Sequence, residues 1–516
     1  MADHTNIEWT DATWQVVTGC DIVSPGCTNC YAMKMAGTRL KTHPSRAGLT
    51  TPSRSGPVWT GEVRFNEQWL DQPLRWRKPR RIFVAAHGDL FHPGVPDEVL
   101  DKVFAVMALA RHHTFQCLTK RPNRARAYLS DAGITHRVSQ AIDAILVDRE
   151  HGRDPEERWS PVLGWESYEA STHGRVRRNG ELLAQTLNPL YGRPSVTLWR
   201  DNEPTTVYVH KLVLLAHRGP AKDGDEARHR NGNREDNRLA NLEWSSRADN
   251  QADKVRHGSN GGPAKITRQQ AAEIRALRRT GQTQQSIANE YGVSRSLVSM
   301  IESRKVWPDA FDWPLPNVWL GVSVEDQQRA DERIPHLLAT PAAKRFVSAE
   351  PLLGPVNLRE ITRHIALGLT EFFDSLTGER AEVSSIFGGT FLKGDEADPD
   401  VETFGSKLDC VIVGGESQAG ARPMHPDWAR SLRDQCAEAG VAFHFKQWGE
   451  WVGAEVYADG NIGGLTRSQM PDGGAGGGLP THWWSGDAFG GVISVRVGKK
   501  AAGRLLDGRT HDEVPG

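Results

Sequence analysis

The sequence predicts an α/β protein built on a parallel sheet of TIM-barrel type, whole or partial, and interrupted by a separately folded insertion. Three observations predict this. Short apolar runs recur, each ending in a polar or glycine cluster: "RIFVAAHGD" (81–89), "TFQCLTKRP" (114–122), "VWLGVSVED" (318–326), "RFVSAEPL" (345–352), "DCVIVGGES" (409–417) and "AFHFKQWGE" (442–450). Amphipathic helical patterns follow several of them, at 97–111, 326–340 and 425–440. Almost 200 residues separate the second run from the third, far more than one crossover needs.

Each run has a core of four to six residues rich in Val, Ile and Phe, as expected of strands buried on both faces. Weaker candidates at "TWQVVT" (13–18) and "GEVRF" (61–65) bring the expected number of strands to eight. An open doubly wound sheet is the alternative. In the third helix Trp428, Leu432 and Cys436 share a face, and Gly440 is a stop. Strand C-termini line barrel active sites, so His87, Asp89, Lys120, Glu325, Glu350, Glu416 and Lys446 are candidate residues of the barrel mouth. Residues 134–150 read as a crossover helix, with Val138, Ile142 and Ile145 on one face. The insertion is then 153–311, and the outer domain is 1–152 with 312–516.

The composition is that of a soluble globular protein, 25% charged and 38% hydrophobic, and no apolar run is long enough to span a membrane. The first residues show no basic head followed by an apolar stretch, so the expectation is a reducing, cytoplasmic location. Net charge is −1, unevenly spread: 153–311 holds 25 Lys+Arg against 20 Asp+Glu, leaving 38 against 44 elsewhere. The central segment also holds none of the six cysteines, which marks it as a unit that touches something anionic.

Three cysteines fall within "GCDIVSPGCTNCYA" (19–32) as Cys20-x6-Cys27-x2-Cys30. Structural zinc wants four ligands and would need a distant fourth. A [4Fe–4S] cluster held by three thiolates leaves one iron open to a small molecule. Thiols with no joint role are a third reading.

Together, "IEWTDATWQVVTGCDIVSPGCTNCYA", "LTKRP", "PNVWLGVSVEDQ", "RFVSAEPLLGPV", "VIVGGESQAGARPMHPDW" and "FHFKQWGE" resemble a phage- and bacteria-encoded family of unassigned function. That family carries a three-cysteine motif and is similar to radical S-adenosylmethionine (SAM) enzymes. The resemblance covers about 1–152 and 312–516. It implies a barrel, with Cys20, Cys27 and Cys30 as iron–sulfur ligands, SAM as a further cofactor, and a substrate that the sequence does not name. If the protein is phage-encoded, its location is a bacterial host's cytoplasm. The first cysteine gap is six residues instead of the usual three, and Gly414-Gly415-Glu416 stands after a late strand instead of near the second. These departures weigh on SAM use more than on cluster binding.

In the centre, "VYVHKLVLLAHRGPAKDGDEARHRNGNREDNRLANLEWSSRADNQADKVRHG" resembles the HNH homing-endonuclease family, an α+β (ββα-metal) fold expected at 201–260. The resemblance implies hydrolysis of double-stranded DNA with Mg²⁺ or another divalent cation. His229 is then the general base, Asn241 pins the loop between strands, and Asn250 is a metal ligand. Some relatives carry a metal-binding Asp before the His; here that position is Arg228, and Asp253 is a substitute ligand.

Upstream, "ERWSPVLGWESYEASTHGRVRR" resembles a nuclease-associated modular DNA-binding motif (153–200), with Trp159, Tyr168, Gly174 and Val176 structural and Arg175 a DNA contact. Downstream, "TQQSIANEYGVSRSLVSMIESRKVW" reads as helix–turn–helix (261–311). Ile287, Ala288, Val293, Val298 and Ile301 sit at core spacing, Gly292 makes the turn and Ser294 caps the second helix. Arg295, Ser296 and Ser299 are presented to DNA. No splice-junction residues occur near 153 or 311, so the insertion is expected to stay in the chain. The rival expectation is a catalytically inactive DNA-binding insertion in a barrel whose cysteines hold structural zinc.

Overall fold

In the computed structural model the described residues are 5, 7–151, 157–188, 192–230, 232–247, 266, 268–279, 281–303, 306, 311–364, 369–385, 390–391, 406–456, 462–463, 481–483 and 492–515. Contacts divide the chain into an outer unit (Met1–Val103, Ala110–Ile134, Pro314–Gly516) and an inserted unit (Phe104–Leu109, Thr135–Trp313).

The outer unit is organised by one seven-stranded sheet, in chain order β1 (Ala12–Trp14), β2 (Arg81–Val84), β3 (Thr114–Thr119), β4 (Val318–Ser323), β5 (Lys344–Ala349), β6 (Cys410–Gly414) and β7 (Ala442–Gln447). Every neighbouring pair is parallel. Alternation sorts the side chains: Ile82 and Val84 are buried on one face. On the other, Phe83, Leu118, Trp319, Phe346, Ile412 and Ala442 form a cluster with Ile7 and Trp9. The Trp9 ring lies 4.8 Å from Phe83 and 6.0 Å from Phe346, so the N-terminal segment fills the concave face.

Among the described residues β1 and β7 are not joined, which makes this the partial form of the expected barrel. The free edge of β7 is covered by the C-terminal segment: Phe445 N–H donates to His511 O (2.9 Å), and His444 bridges Asp512.

Two expected strands behave differently. "TWQVVT" splits, Ala12–Trp14 joining the sheet and Val17–Thr18 pairing antiparallel with Arg64–Phe65. "GEVRF" is therefore not a barrel strand. Its polar residues cannot be buried on both faces, and the Arg64 guanidinium instead donates to Ala47 O (2.9 Å) in a neighbouring turn. The connection from β5 to β6 holds a four-stranded antiparallel sheet, Ile361–His364, Leu369–Phe373, Arg380–Ser385 and Thr390–Phe391, that no sequence pattern announced.

Helix Gln327–Leu338 is capped by Asp326, whose Oδ1 accepts from Arg329 N–H (2.9 Å). Helix Pro426–Ala439 is capped by His425 and ends on Gly440 in the left-handed region (φ 64°). No helix among the described residues is long and apolar enough to cross a membrane.

Within the inserted unit, an antiparallel sheet (Trp159–Val162, Trp165–Ser171, Val176–Arg178, Glu181–Leu182) and a second one (Thr186–Leu187, Pro194–Arg200, Glu203–Tyr208) precede helix Val209–His217 and the hairpin Asp225–His229/Leu242–Ser246. Tyr168, Val176, Leu198, Leu212, Val213 and Leu242 share one core, so the described residues of 157–188, 192–230 and 232–247 pack together. Helices Arg268–Arg279, Gln284–Glu290 and Arg295–Glu302 have a separate core of Ile274, Ile287, Ala288, Val298 and Ile301. Helix Ile134–His151, expected as the barrel's crossover, groups with the inserted unit from Thr135 on, and Arg238 reaches its Ala144 carbonyl (3.2 Å).

Candidate functional sites

The outer unit's strands end on a cavity of about 860 Å³. Cys20, Cys27 and Cys30 line it, together with His87, Asp89, Lys120, Glu350, Glu416 and Lys446 from the strand ends. The loop that follows β1 carries the thiols. It is tied down at both ends: Ser24 Oγ donates to Glu325 Oε1 (2.7 Å), and Asn29 Nδ2 donates to Glu416 Oε2 (2.9 Å).

Glu325 is wholly buried and does not line the cavity. It holds the wall, accepting from Lys120 Nζ and, at 2.9 Å, from Arg333 Nη1. Asp89 accepts from Thr119 Oγ1 (2.7 Å), Lys120 N–H (3.0 Å) and Arg121 Nη1 (2.8 Å). Burial nevertheless raises its pKa. Glu416 takes a fork from Arg422 (2.6 and 2.9 Å), which, with the Asn29 amide, outweighs burial and lowers its pKa. Glu350 pairs with Lys446. Gly415 is obligatory, since a Cβ there would lie 1.9 Å from Trp448 O.

The three thiols are electrostatically distinct. Burial pushes Cys20 up to about 12, although Arg121 Nη1 lies 3.6 Å from its sulfur. Burial also opposes ionisation of Cys27, but Lys120, neighbouring backbone N–H groups and the Ser24 hydroxyl outweigh it and lower its pKa. Cys30 is raised by burial. Lys120 is pushed down to about 8, chiefly by burial, with Cys27 opposing. Among the described residues no three His, Cys, Asp or Glu side chains converge on one point as a single metal ion requires. The three cysteines share a cavity wall instead.

The inserted unit's candidate site sits on its hairpin. His229 ends the first strand, paired with Leu242, and is only 8% exposed. Its Nε2 lies 3.1 Å from Asn237 Oδ1, which makes Nε2 the protonated nitrogen and leaves the lone pair on Nδ1. Burial drives its pKa down to about 4 against the Asn237 hydrogen bond. Asn241 is fully buried; its Nδ2 donates to Asp236 O (2.8 Å) and its carbonyl accepts from Arg230 N–H (2.9 Å), so it pins the loop. Arg228 is turned to Glu243 (2.8 Å). Asn250 and Asp253 lie outside the described residues.

Three side chains here were not foreseen. His210 packs edge-on against His229 (centroids 5.0 Å), Arg193 Nη1 lies 3.1 Å from His210 Nε2, and Asn237 orients His229. Only His210 left a trace in the sequence, as the one polar buried residue in the apolar helix "VHKLVLLAH". Gly174 (φ 83°) brings the upstream segment onto this loop: a Cβ there would lie 2.8 Å from the Asn237 backbone, and Leu239 N–H donates to Thr172 O (2.9 Å).

Of the expected DNA contacts, Arg175 pairs with Glu157 (Nε to Oε1 2.8 Å) and lies 5.8 Å from the Trp159 ring. Arg295, Ser296 and Ser299 are exposed on helix Arg295–Glu302. That helix is capped by Ser294, which accepts from Leu297 N–H (3.2 Å).

A partial barrel with a three-cysteine loop, joined to a unit whose hairpin carries a buried neutral histidine, defines a composite protein with two candidate centres. The chain belongs to the family described as protein of unknown function (DUF5131), which it matches over residues 4–164 and 267–515. Residues 207–252 match the HNH endonuclease family. No curated protein matches the chain. One solved structure, described as DNA binding and cleavage by the HNH homing endonuclease I-HmuI, covers 28% of this chain and 88% of that one at 20% identity, with a TM-score of 0.19.

Proposed function

We propose that the inserted unit is a metal-dependent DNA endonuclease in which His229 is the general base. One observation supports this above the others: His229 is buried and neutral at physiological pH, and its tautomer is set by Asn237 so that Nδ1 accepts a proton. As the water oxygen bonds to phosphorus its proton passes to Nδ1, the P–O bond to the leaving oxygen breaks and that oxygen takes a proton from solvent, while the Asn237 carbonyl oxygen stabilises the imidazolium through Nε2–H. Asn241 keeps the loop that carries Asn237 in register.

A divalent cation, when bound, would neutralise charge developing on the phosphate oxygens. Asn250, with Asp253, is the residue to hold it; Arg228, committed to Glu243, is not a ligand. Helix Arg295–Glu302 and the Arg-rich sheet upstream of the hairpin serve as the DNA-docking surfaces. Incubation with Mg²⁺ and supercoiled plasmid DNA tests the reading: wild-type protein nicks or linearises it, and His229→Ala and Asn250→Ala do not. Cleavage by neither wild type nor variants leaves a DNA-binding appendage.

For the outer unit we propose an iron–sulfur centre on Cys20, Cys27 and Cys30. Each thiolate of a cluster binds a different iron, so the thiols need not converge on one atom, and in support of the reading all three line the same cavity. When bound, a [4Fe–4S] cluster would supply one-electron chemistry, with SAM as the small molecule it reduces. Lys120 and Arg121 would offset the charge of the thiolates. Anaerobic reconstitution followed by iron and sulfide assay decides it. One zinc per chain, without absorbance near ~400 nm, would replace the cluster by a structural ion.

A further inference from the structure

The Arg46 guanidinium is buried in the cavity wall of the outer unit with no anion to answer it among the described residues. Arg46 is 4% exposed. Its Nη2 lies 2.9 Å from His87 Nδ1, its Nη1 donates to Ser45 Oγ, and its Nε is buried with no partner among the described residues. The Trp69 ring centre is 5.9 Å from its Cζ, and His43 and Tyr31 pack around the same corner, against Trp69 and His87 respectively. All of these residues except Ser45 line the cavity.

Two further cations of the wall, Arg39 and Lys499, are exposed to solvent, and its remaining charges are matched. Asp21 and Asp89 face Arg121, Glu350 faces Lys446, Glu416 faces Arg422, and Lys120 faces Glu325. Among the described residues no carboxylate lies within ion-pair distance of Arg46. The thiols have their own cations, Arg121 beside Cys20 and Lys120 beside Cys27. Arginine does not shed its proton, so a buried unmatched guanidinium destabilises the ligand-free fold. His87 must accept from Arg46 at Nδ1, so its proton sits on Nε2, a further donor at the same corner.

We propose that Arg46 binds the oxyanion, carboxylate or phosphate, of an organic molecule whose flat or apolar body lies along the aromatic wall of this cavity. The geometry is independent of what the cysteines hold, and of the nuclease reading.

Titration calorimetry on the full chain tests it with benzoate, phenyl phosphate and the neutral benzyl alcohol. Wild-type protein is expected to bind at least one anion and to bind benzyl alcohol about tenfold or more weakly, the value of one charge-assisted contact. Preference between the two anions tells a carboxylate site from a phosphate site. Arg46→Gln should cut anion affinity about tenfold or more and leave benzyl alcohol unchanged, and Arg46→Lys should restore part of it. Thermal unfolding of ligand-free Arg46→Met gives a second measure, expected at or above the wild-type midpoint because an unmatched buried charge is gone. Failure of wild type to bind either anion would overturn the proposal. So would anion binding that ignores Arg46→Gln, or a clear fall in midpoint for Arg46→Met, which would make Arg46 a structural tie to Ser45 and His87.

Discussion

Acid should be a poor switch for the proposed DNA-cleaving centre, and the reason is quantitative. An ordinary imidazole titrates near 6.5, whereas burial brings His229 down to about 4. At pH 5.5 a base of pKa 4 is about 97% neutral, and one of pKa 6.5 about 9%. The ratio kcat/KM, which reports the free enzyme, should therefore change little between pH 7.5 and 5.5 and fall only on approaching pH 4. Plasmid nicking at fixed Mg²⁺ and subsaturating DNA, measured in steps of half a pH unit, gives the profile. Stability sets the lower limit of the experiment. Because the folded pKa lies below the unfolded value, the unfolded chain takes up the proton first as pH falls through 6.5. The stability linked to His229 is thus complete above pH 6.5 and is lost progressively towards pH 4, by up to about 3 kcal/mol. His210, pushed down to about 2 by burial and by His229, acts with the same sign. Circular dichroism at each pH separates loss of fold from loss of activity. An acidic limb with its midpoint near 6.5 in still-folded protein would refute the assignment of His229 as a buried neutral base.

Other consequences are open to direct measurement. Gly174→Ala forces a Cβ into the Asn237 backbone, so cleavage should fall about tenfold or more while plasmid binding by gel shift holds, the mark of a shifted His229. Trp9→Ala empties the concave face of the outer sheet and should cost about 3–5 kcal/mol in urea unfolding followed by far-UV dichroism. Ser294→Ala removes the cap of helix Arg295–Glu302 and should cost about 1 kcal/mol, read as earlier melting of that helical core alone.

Much of this arrangement is legible in the sequence where local chemistry decides it. Six of the seven sheet strands are the six apolar runs, because strands covered on both faces must be continuously apolar. Ser294 and Gly440 occupy the cap and stop positions that their chemistry favours. His229 ends the first strand of the hairpin, and Asn241 ends the short helical turn before the second. What local pattern cannot carry is partnership across the chain. Glu325 is a strand-end acid like Glu350, yet it is sealed behind the wall, because Arg333 and Ser24 reach it from elements 8 and 301 residues away. Arg46 lies in "THPSRAGL", polar and turn-like, and nothing nearby in sequence shows that folding buries it. The strand expected at "GEVRF" failed for the converse reason: its alternation suits a half-exposed pair, and such a pair is what it forms.

The place of the insertion explains how one chain can carry both candidate centres. The cavity residues Thr119, Lys120, Ser323, Glu350, Glu416 and Gln447 all lie at or just after the C-terminal ends of their strands. After β3 the chain makes helix Pro122–Leu129, which carries it back from that end, and contacts assign it to the outer unit only as far as Ile134. It rejoins the outer unit at Pro314 and enters β4 at its N-terminal end, where Phe115 N–H donates to Asn317 O (2.8 Å). Both junctions therefore fall in the returning half of a crossover, the half that supplies no residue to the cavity. Loops after strand C-termini hold the chemistry of such sheets, and loops before strand N-termini serve stability. An insertion at the second kind of loop leaves the three-cysteine loop, Arg46 and the matched ion pairs of the wall within the outer unit's own residues. Neither candidate centre draws a described side chain from the other's unit.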